Sequence, residues 1–224
     1  KIISLYQTKS DDIAIFQNGK LKNWKVKFVG AERKKNTNYF FYFNGCLIFH
    51  NVKLENVNID LKDTHCEDGI NLIKSYGSIK YLRVLNSFSD GIDMDFSNIK
   101  VEEAFVENVN NDCLDVSYGD YNFNRLNLKN CGDKAISIGE KSDVKLNKIK
   151  IENTNYGMVV KDSSTAVVDN IDVKKSNICL SAYNKKQMFY GGFAKIKNLR
   201  CESFDINSKV DIFSSIQVEN NYKF

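Results

Sequence analysis

The stretch SDGIDMD at residues 89–95 has five counterparts: EDGINLI at 67–73, NDCLDVS at 111–117, DKAISIG at 133–139, NYGMVVK at 155–161 and NICLSAY at 177–183. Aligned on Gly69, Gly91, Cys113, Ala135, Gly157 and Cys179, they recur every 22 residues. A weaker copy, NGCLIFH, places Cys46 in the same role, and LRCESFD at Cys201 is expected to continue the register. The first and third positions after each anchor are apolar, as in Ile92 and Met94 or Leu114 and Val116. This period of two marks a strand with one buried face. The remainder of each repeat, such as SIKYLRVLNS, FNRLNLKN or VKLNKIKIEN, alternates too and carries no helical stripe.

An all-strand repeat of this length predicts an all-β fold: a single right-handed parallel β-helix with about 22 residues per coil. Equivalent residues of successive coils then stack about 4.8 Å apart, so columns become the physical unit. The anchor column holds only Gly, Ala and Cys, and Asn86, Asn108 and Asn130 form another, as expected of an amide ladder at a turn. Residues 1–45 are expected to form irregular first coils and a cap, 46–187 the regular coils, and 188–224 the last coils and cap. NKKQMFYGGFAK breaks the rhythm after Tyr183; its aromatics Phe189, Tyr190 and Phe193 would fold over the flank or offer a sugar-stacking platform.

Composition agrees with a sizeable core, at 42% hydrophobic and 27% charged residues. The absence of proline suits continuous ladders, because proline removes a ladder donor. A net charge of +4, scattered along the chain, does not argue for nucleic acid, and no apolar stretch is long enough to span a bilayer. The first residues lack the apolar segment of a signal peptide and the chain does not begin with Met, as expected of a mature product or a piece of a longer polypeptide. The compartment stays open between a cell surface and the cytoplasm. Four of the six cysteines fall in the small-residue column and read as small buried hydrophobes, whereas Cys66 and Cys131 lie outside it. Cys179 and Cys201 would be stack neighbours, close enough to allow a disulfide. His50 and His65 read as ordinary polar residues, and no zinc-ligand spacing occurs.

The second and fourth positions after each anchor alternate with the buried ones and are expected to face outward. There Asp93 stacks on Asp115, with Asp95 alongside, and just before the anchor Asp90 stacks on Asp112. Two carboxylates about 5 Å apart repel by roughly 3 kcal/mol at an effective dielectric of 20. Such a stack needs a raised pKa, a neighbouring cation such as Lys134 or Lys161, or a bound ion. Asp90, Asp93, Asp112 and Asp115 are therefore the candidate acid, base or cation-binding groups, and Lys134, Lys161, Asp95 and Glu140 the candidate substrate-binding ones. The other reading is that these aspartates tie down turns by accepting backbone N–H bonds. No cofactor is implied; calcium is suited to such hard oxygens.

At these residues the chain resembles the pectin-lyase-like β-helix superfamily and, within it, the polygalacturonase family. FSDGID, NNDCLDVSYG and GDKAISIG follow one another in the family's order, with VVK at 159–161 in the place of its R-x-K. The resemblance puts Asp90 and Asp112 at two of three catalytic aspartates and Lys161 at the substrate lysine. Asn111, Lys134 and Val159 stand where the family has the third aspartate, a histidine and an arginine. The strings GDKAISIGEKS, VVKDSS and AYNKKQ also resemble bacterial right-handed β-helix repeat proteins, in which Glu140, Lys141, Lys161, Asp162, Lys185 and Lys186 would project from one side. Both resemblances imply a polysaccharide-directed protein: a hydrolase, lyase or epimerase, or a non-catalytic module that binds glycan or docks another domain.

Overall fold

A computed structural model describes residues 1–9, 12–31 and 44–222. The segment 32–43, within the expected N-terminal cap, lies outside the described residues. The strands are β1 (Ile2–Tyr6), β2 (Ala14–Lys22), β3 (Lys25–Val29), β4 (Gly45–Thr64), β5 (Asp68–Ile73), β6 (Tyr76–Ser87) and β7 (Asp90–Asp95). They continue with β8 (Asn98–Val109), β9 (Leu114–Ser117), β10 (Asp120–Gly139), β11 (Asp143–Lys161), β12 (Thr165–Tyr183), β13 (Phe193–Val210) and β14 (Ser215–Tyr222). Every pairing is parallel, all strands join one continuous sheet, and no helix occurs among the described residues. The chain is a parallel β-solenoid.

Three faces result. Face A stacks 98–101, 120–123, 143–146, 165–168, 193–196 and 215–218. Face B stacks 103–107, 125–129, 148–152, 170–174 and 198–202. Face C carries the motif strands, with Ile92 on Leu114, Leu114 on Ile136 and Met158 on Leu180. The core is the column of their inward residues, among them Leu72, Met94, Val116 and Ile138, all fully buried.

The corners explain the polar columns. Asn86, Asn108, Asn130 and Asn153 adopt a left-handed backbone, which asparagine tolerates better than most residues, and each donates its amide to the side chain one coil earlier. A second corner is tied by serines: the hydroxyls of Ser75, Ser97 and Ser142 reach carbonyl oxygens of an earlier coil, and Ser97 and Ser164 accept from the backbone N–H groups of Ser75 and Ser142. Gly119 interrupts this column because Tyr121 fills it. A Cβ on Gly119 would lie 2.8 Å from the Tyr121 hydroxyl and 2.0 Å from the Ser97 carbonyl oxygen. That hydroxyl lies 2.8 Å from the Met94 carbonyl and accepts from the Ser97 N–H, doing the work of the missing serine.

Two expectations need correction. The cysteines are not packing residues: all six are joined, Cys46 to Cys66, Cys113 to Cys131 and Cys179 to Cys201. Each bond runs from an anchor-column cysteine to a residue 18 to 22 positions later, clipping one coil to the next. Column membership had pointed to size alone, whereas the column also lies within bonding reach of the chain as it returns. Nor does Cys201 continue the anchor register. Six residues are inserted before β13, which aligns Cys201 with Val173 on face B and Ile206 with Ile178 on face C.

Each disulfide closes a loop worth about 3 kcal/mol of chain entropy. The Cys113→Ala/Cys131→Ala variant should lose about 6 °C or more in Tm, read by circular dichroism, and the native chain should present no thiol to Ellman's reagent. Tyr121→Phe leaves the Ser97 N–H without its partner and should cost about 1–3 kcal/mol in denaturant unfolding.

Candidate functional site

Face C brings the acidic residues together through register alone. Asp68 pairs with Asp90, Asn71 with Asp93, and Asp93 with Asp115. The second-position column was expected to face outward, yet Asn71, Ser137, Val159 and Ser181 are buried, and so are Gly139 and Lys161 in the fourth. The reason is local: the Lys161 side chain lies back across Gly139, where a Cβ would meet its Cε at 2.7 Å, and reaches Ser137 Oγ at 2.8 Å. Alternation sets direction; neighbouring side chains set exposure.

Asp90 and Asp112 form one kind of pair. Asp90 accepts the Asn111 amide at 2.6 Å and the Asp112 N–H at 2.9 Å. Asp112 accepts the Lys134 N–H at 2.9 Å and the Lys134 ammonium at 3.3 Å. Burial pushes both carboxyls upward, partly offset by these bonds and by Lys134. Lys134 also pairs with Asp133, and although burial works against its charge, these carboxylates raise its pKa. These residues knit one coil to the next.

Asp93, Asp95 and Asp115 form another. Asp93 is pushed well up by burial and then by the charges of Asp68, Asp95 and Asp115. Its Oδ2 accepts the Asn71 amide at 2.8 Å, and Asp95, on the same strand, is also raised by burial. The charge of Asp95 opposes ionisation of Asp93, so the two titrate as a pair. Asp115, raised by burial but held back by Lys161, has Oδ2 at 4.0 Å from the Lys161 ammonium. Its Oδ1 is buried without a hydrogen-bond partner. Beneath them Asp68 is pushed up to about 8, by burial first and then by Asp90.

A polar and aromatic rim borders this group. Burial alone would raise Glu140, but bonds from Lys186 and Ser117 outweigh it and hold its carboxyl low. Phe96 and Tyr118, on left-handed turn residues of successive coils, stack with centroids 4.7 Å apart and remain exposed. Phe189 meets Tyr118 edge-on, Lys141 lies over Phe189, and Asp162 caps the inserted loop by accepting the N–H groups of Lys185 and Lys186. The insertion thus folds over the flank.

Sequence reasoning overlooked Asp68, Asn71 and Ser137 as members of this group, although their columns contain them. It also missed Phe96 and Tyr118, whose signal was their shared spacing ahead of the serine column. Among the described residues no three or more His, Cys, Asp or Glu side chains form a set able to hold a metal ion. None of those residues forms a helix long and apolar enough to cross a membrane, a statement that does not concern β-barrels. Comparison with family models, curated proteins and solved structures finds no match.

Because the native state holds the Asp68 proton more tightly than the unfolded chain does, this group's stability is full below about pH 4 and declines as pH rises toward about 8. Asp68→Asn should therefore raise Tm by about 3 °C or more at pH 8.5 and change it little at pH 4, as thermal melts at the two pH values would show.

Proposed function

We propose that the chain is a polysaccharide-directed β-solenoid whose glycan site is the Asp93, Asp95, Asp115 and Lys161 group on face C. The observation that carries this reading is the stacking of Asp93 on Asp115, with Asp95 on the same strand and the Asp115 Oδ1 buried and unpartnered. Elsewhere in the column of Asp93 and Asp115 the fold uses Asn, Ser and Val, so it does not need these carboxyls. The exposed Phe96 and Tyr118 at the rim supply apolar surface of the kind that sugars lie against.

In this reading Asp93 is the proton donor to a glycosidic oxygen, because burial and the neighbouring carboxylates push its pKa well up. Asp95 stands beside it, and Asp115, where Lys161 opposes the rise that burial causes, is the base that activates water. Two carboxyls driven apart in protonation state are the requirement for acid–base cleavage of a sugar bond. Asp90 and Asp112, the positions implied by the likeness to polygalacturonases, serve as supports, since Asp90 Oδ1 accepts the Asn111 amide and the Asp112 N–H, and Asp112 accepts the N–H and the ammonium of Lys134. Lys134 and Glu140 border the site and position groups within it. The donor set does not fit a metal, so no step is routed through calcium. The three disulfides support residence in an oxidising compartment.

A second reading, a non-catalytic module that binds glycan or docks a neighbouring domain, is favoured by the structural use of Asp90 and Asp112. A panel of acidic and neutral polysaccharides separates the two, scored for binding on an array and for new reducing ends or unsaturated products, with calcium or chelator present. Asp93→Asn should lower turnover by about 100-fold or more while leaving binding within a few-fold of wild type. Wild-type activity should fall on the alkaline side as Asp93 loses its proton. Binding without product from the wild type would establish the module; neither binding nor product would sink both.

A further inference from the structure

Face B carries a second feature, independent of the carboxyl group on face C. Its outermost column alternates in sign along the axis: Glu107, Lys129, Glu152, Lys174 and Glu202 stack in that order, with Lys129 3.5 Å from Glu107 and Lys174 3.3 Å from Glu202. That is how a parallel stack neutralises its own charges. The neighbouring columns break the rule. Arg125 stacks directly on Lys148, cation on cation, and Lys150 projects from the same coil as Lys148. Arg125 has Glu103 at 3.4 Å, but among the described residues neither Lys148 nor Lys150 is ion-paired. These three residues line an open groove of about 590 Å³ whose floor is the turn of the sheet around Ile149 and Ile171. Asn127, Asn170 and Asn198 add amides to its wall, and the half-exposed ring of Tyr222 closes one end. Asp172, also in the lining, has a buried Oδ1 with no hydrogen-bond partner.

We infer that this groove binds an acidic polysaccharide, with Lys148, Lys150 and Arg125 receiving its carboxylate or sulfate groups. The surrounding chemistry selects sugar over the other polyanions. The Asp172 carboxylate, with Arg200 4.0 Å from its Oδ2, adds an acceptor to the lining that suits sugar hydroxyls and repels a phosphodiester backbone. The amides suit hydroxyls as donors and acceptors together. Glu102, Glu103, Glu152 and Glu202 flank the cations and would repel a continuous line of phosphates, yet they leave room for anionic groups spaced along a glycan. Tyr222 is the sole aromatic ring in the groove lining, whereas single-stranded nucleic acid is held on successive stacking rings.

The test is calorimetric titration of the intact chain with an oligogalacturonate hexasaccharide, its methyl ester and a heparin-derived hexasaccharide, at low and moderate salt. The wild type should bind at least one acidic probe, with affinity falling as salt rises, and should not bind the ester. Lys148→Gln/Lys150→Gln, altered only at exposed side chains, should weaken that binding by about ten-fold or more. Asp93→Asn, altered on the other face, should bind as the wild type does. No binding of either acidic probe, equal affinity in the double lysine variant, or tighter binding of a single-stranded oligonucleotide through the same lysines would each overturn the inference. Loss of glycan cleavage in Asp93→Asn with groove binding intact keeps this outcome separate from that of the face C proposal.

Discussion

Everything in this chain follows from parallel register: each residue sits on its counterpart one coil away, at the fixed spacing of neighbouring strands. That constraint turns a side chain's neighbour into a matter of sequence distance. It rewards residues that can bond to copies of themselves, and so asparagine climbs the left-handed corner from Asn86 to Asn153, each amide donating to the one before. It penalises like charges, and most of the surface respects this, as the alternating Glu107 to Glu202 column shows.

Against that background the exceptions stand out physically. Asp93 on Asp115 and Arg125 on Lys148 are two of the places where charge of one sign is stacked, and the fold relieves them differently. On face C the relief is internal: burial and repulsion push the Asp93 carboxyl toward its protonated form, and Lys161 folds back over a coil to sit near Asp115. On face B the cations remain in solvent and their repulsion is screened. The first arrangement is suited to moving a proton, the second to receiving an anion.

The disulfides and the inserted loop show how the regular stack is adapted. The three bonds tie successive coils at both ends and near the middle, which matters for a solenoid because each coil touches only its neighbours. The six added residues before β13 leave the ladder intact on both sides and carry Phe189 and Lys186 to the rim of the carboxyl group. A local insertion in a repeat protein is a cheap means of shaping one flank, since the cost is confined to one turn.

The repeat, its length, the strand class and the asparagine ladder were all legible in the sequence, because a period of 22 and an alternation of two are properties of residue order. The stacking of Asp93 on Asp115 was legible for the same reason. What residue order does not contain is the third dimension of each column. Whether Asp90 spends its oxygens on the Asp112 N–H, whether Lys161 lies over Gly139, and whether Cys113 reaches Cys131 depend on where the chain returns after a corner. Those outcomes decided which aspartates bond the next coil and which are left buried among other carboxyls. The groove on face B was likewise hidden, because Arg125, Lys148 and Lys150 look like ordinary surface charges until the coils stack and their carboxylate partners are counted.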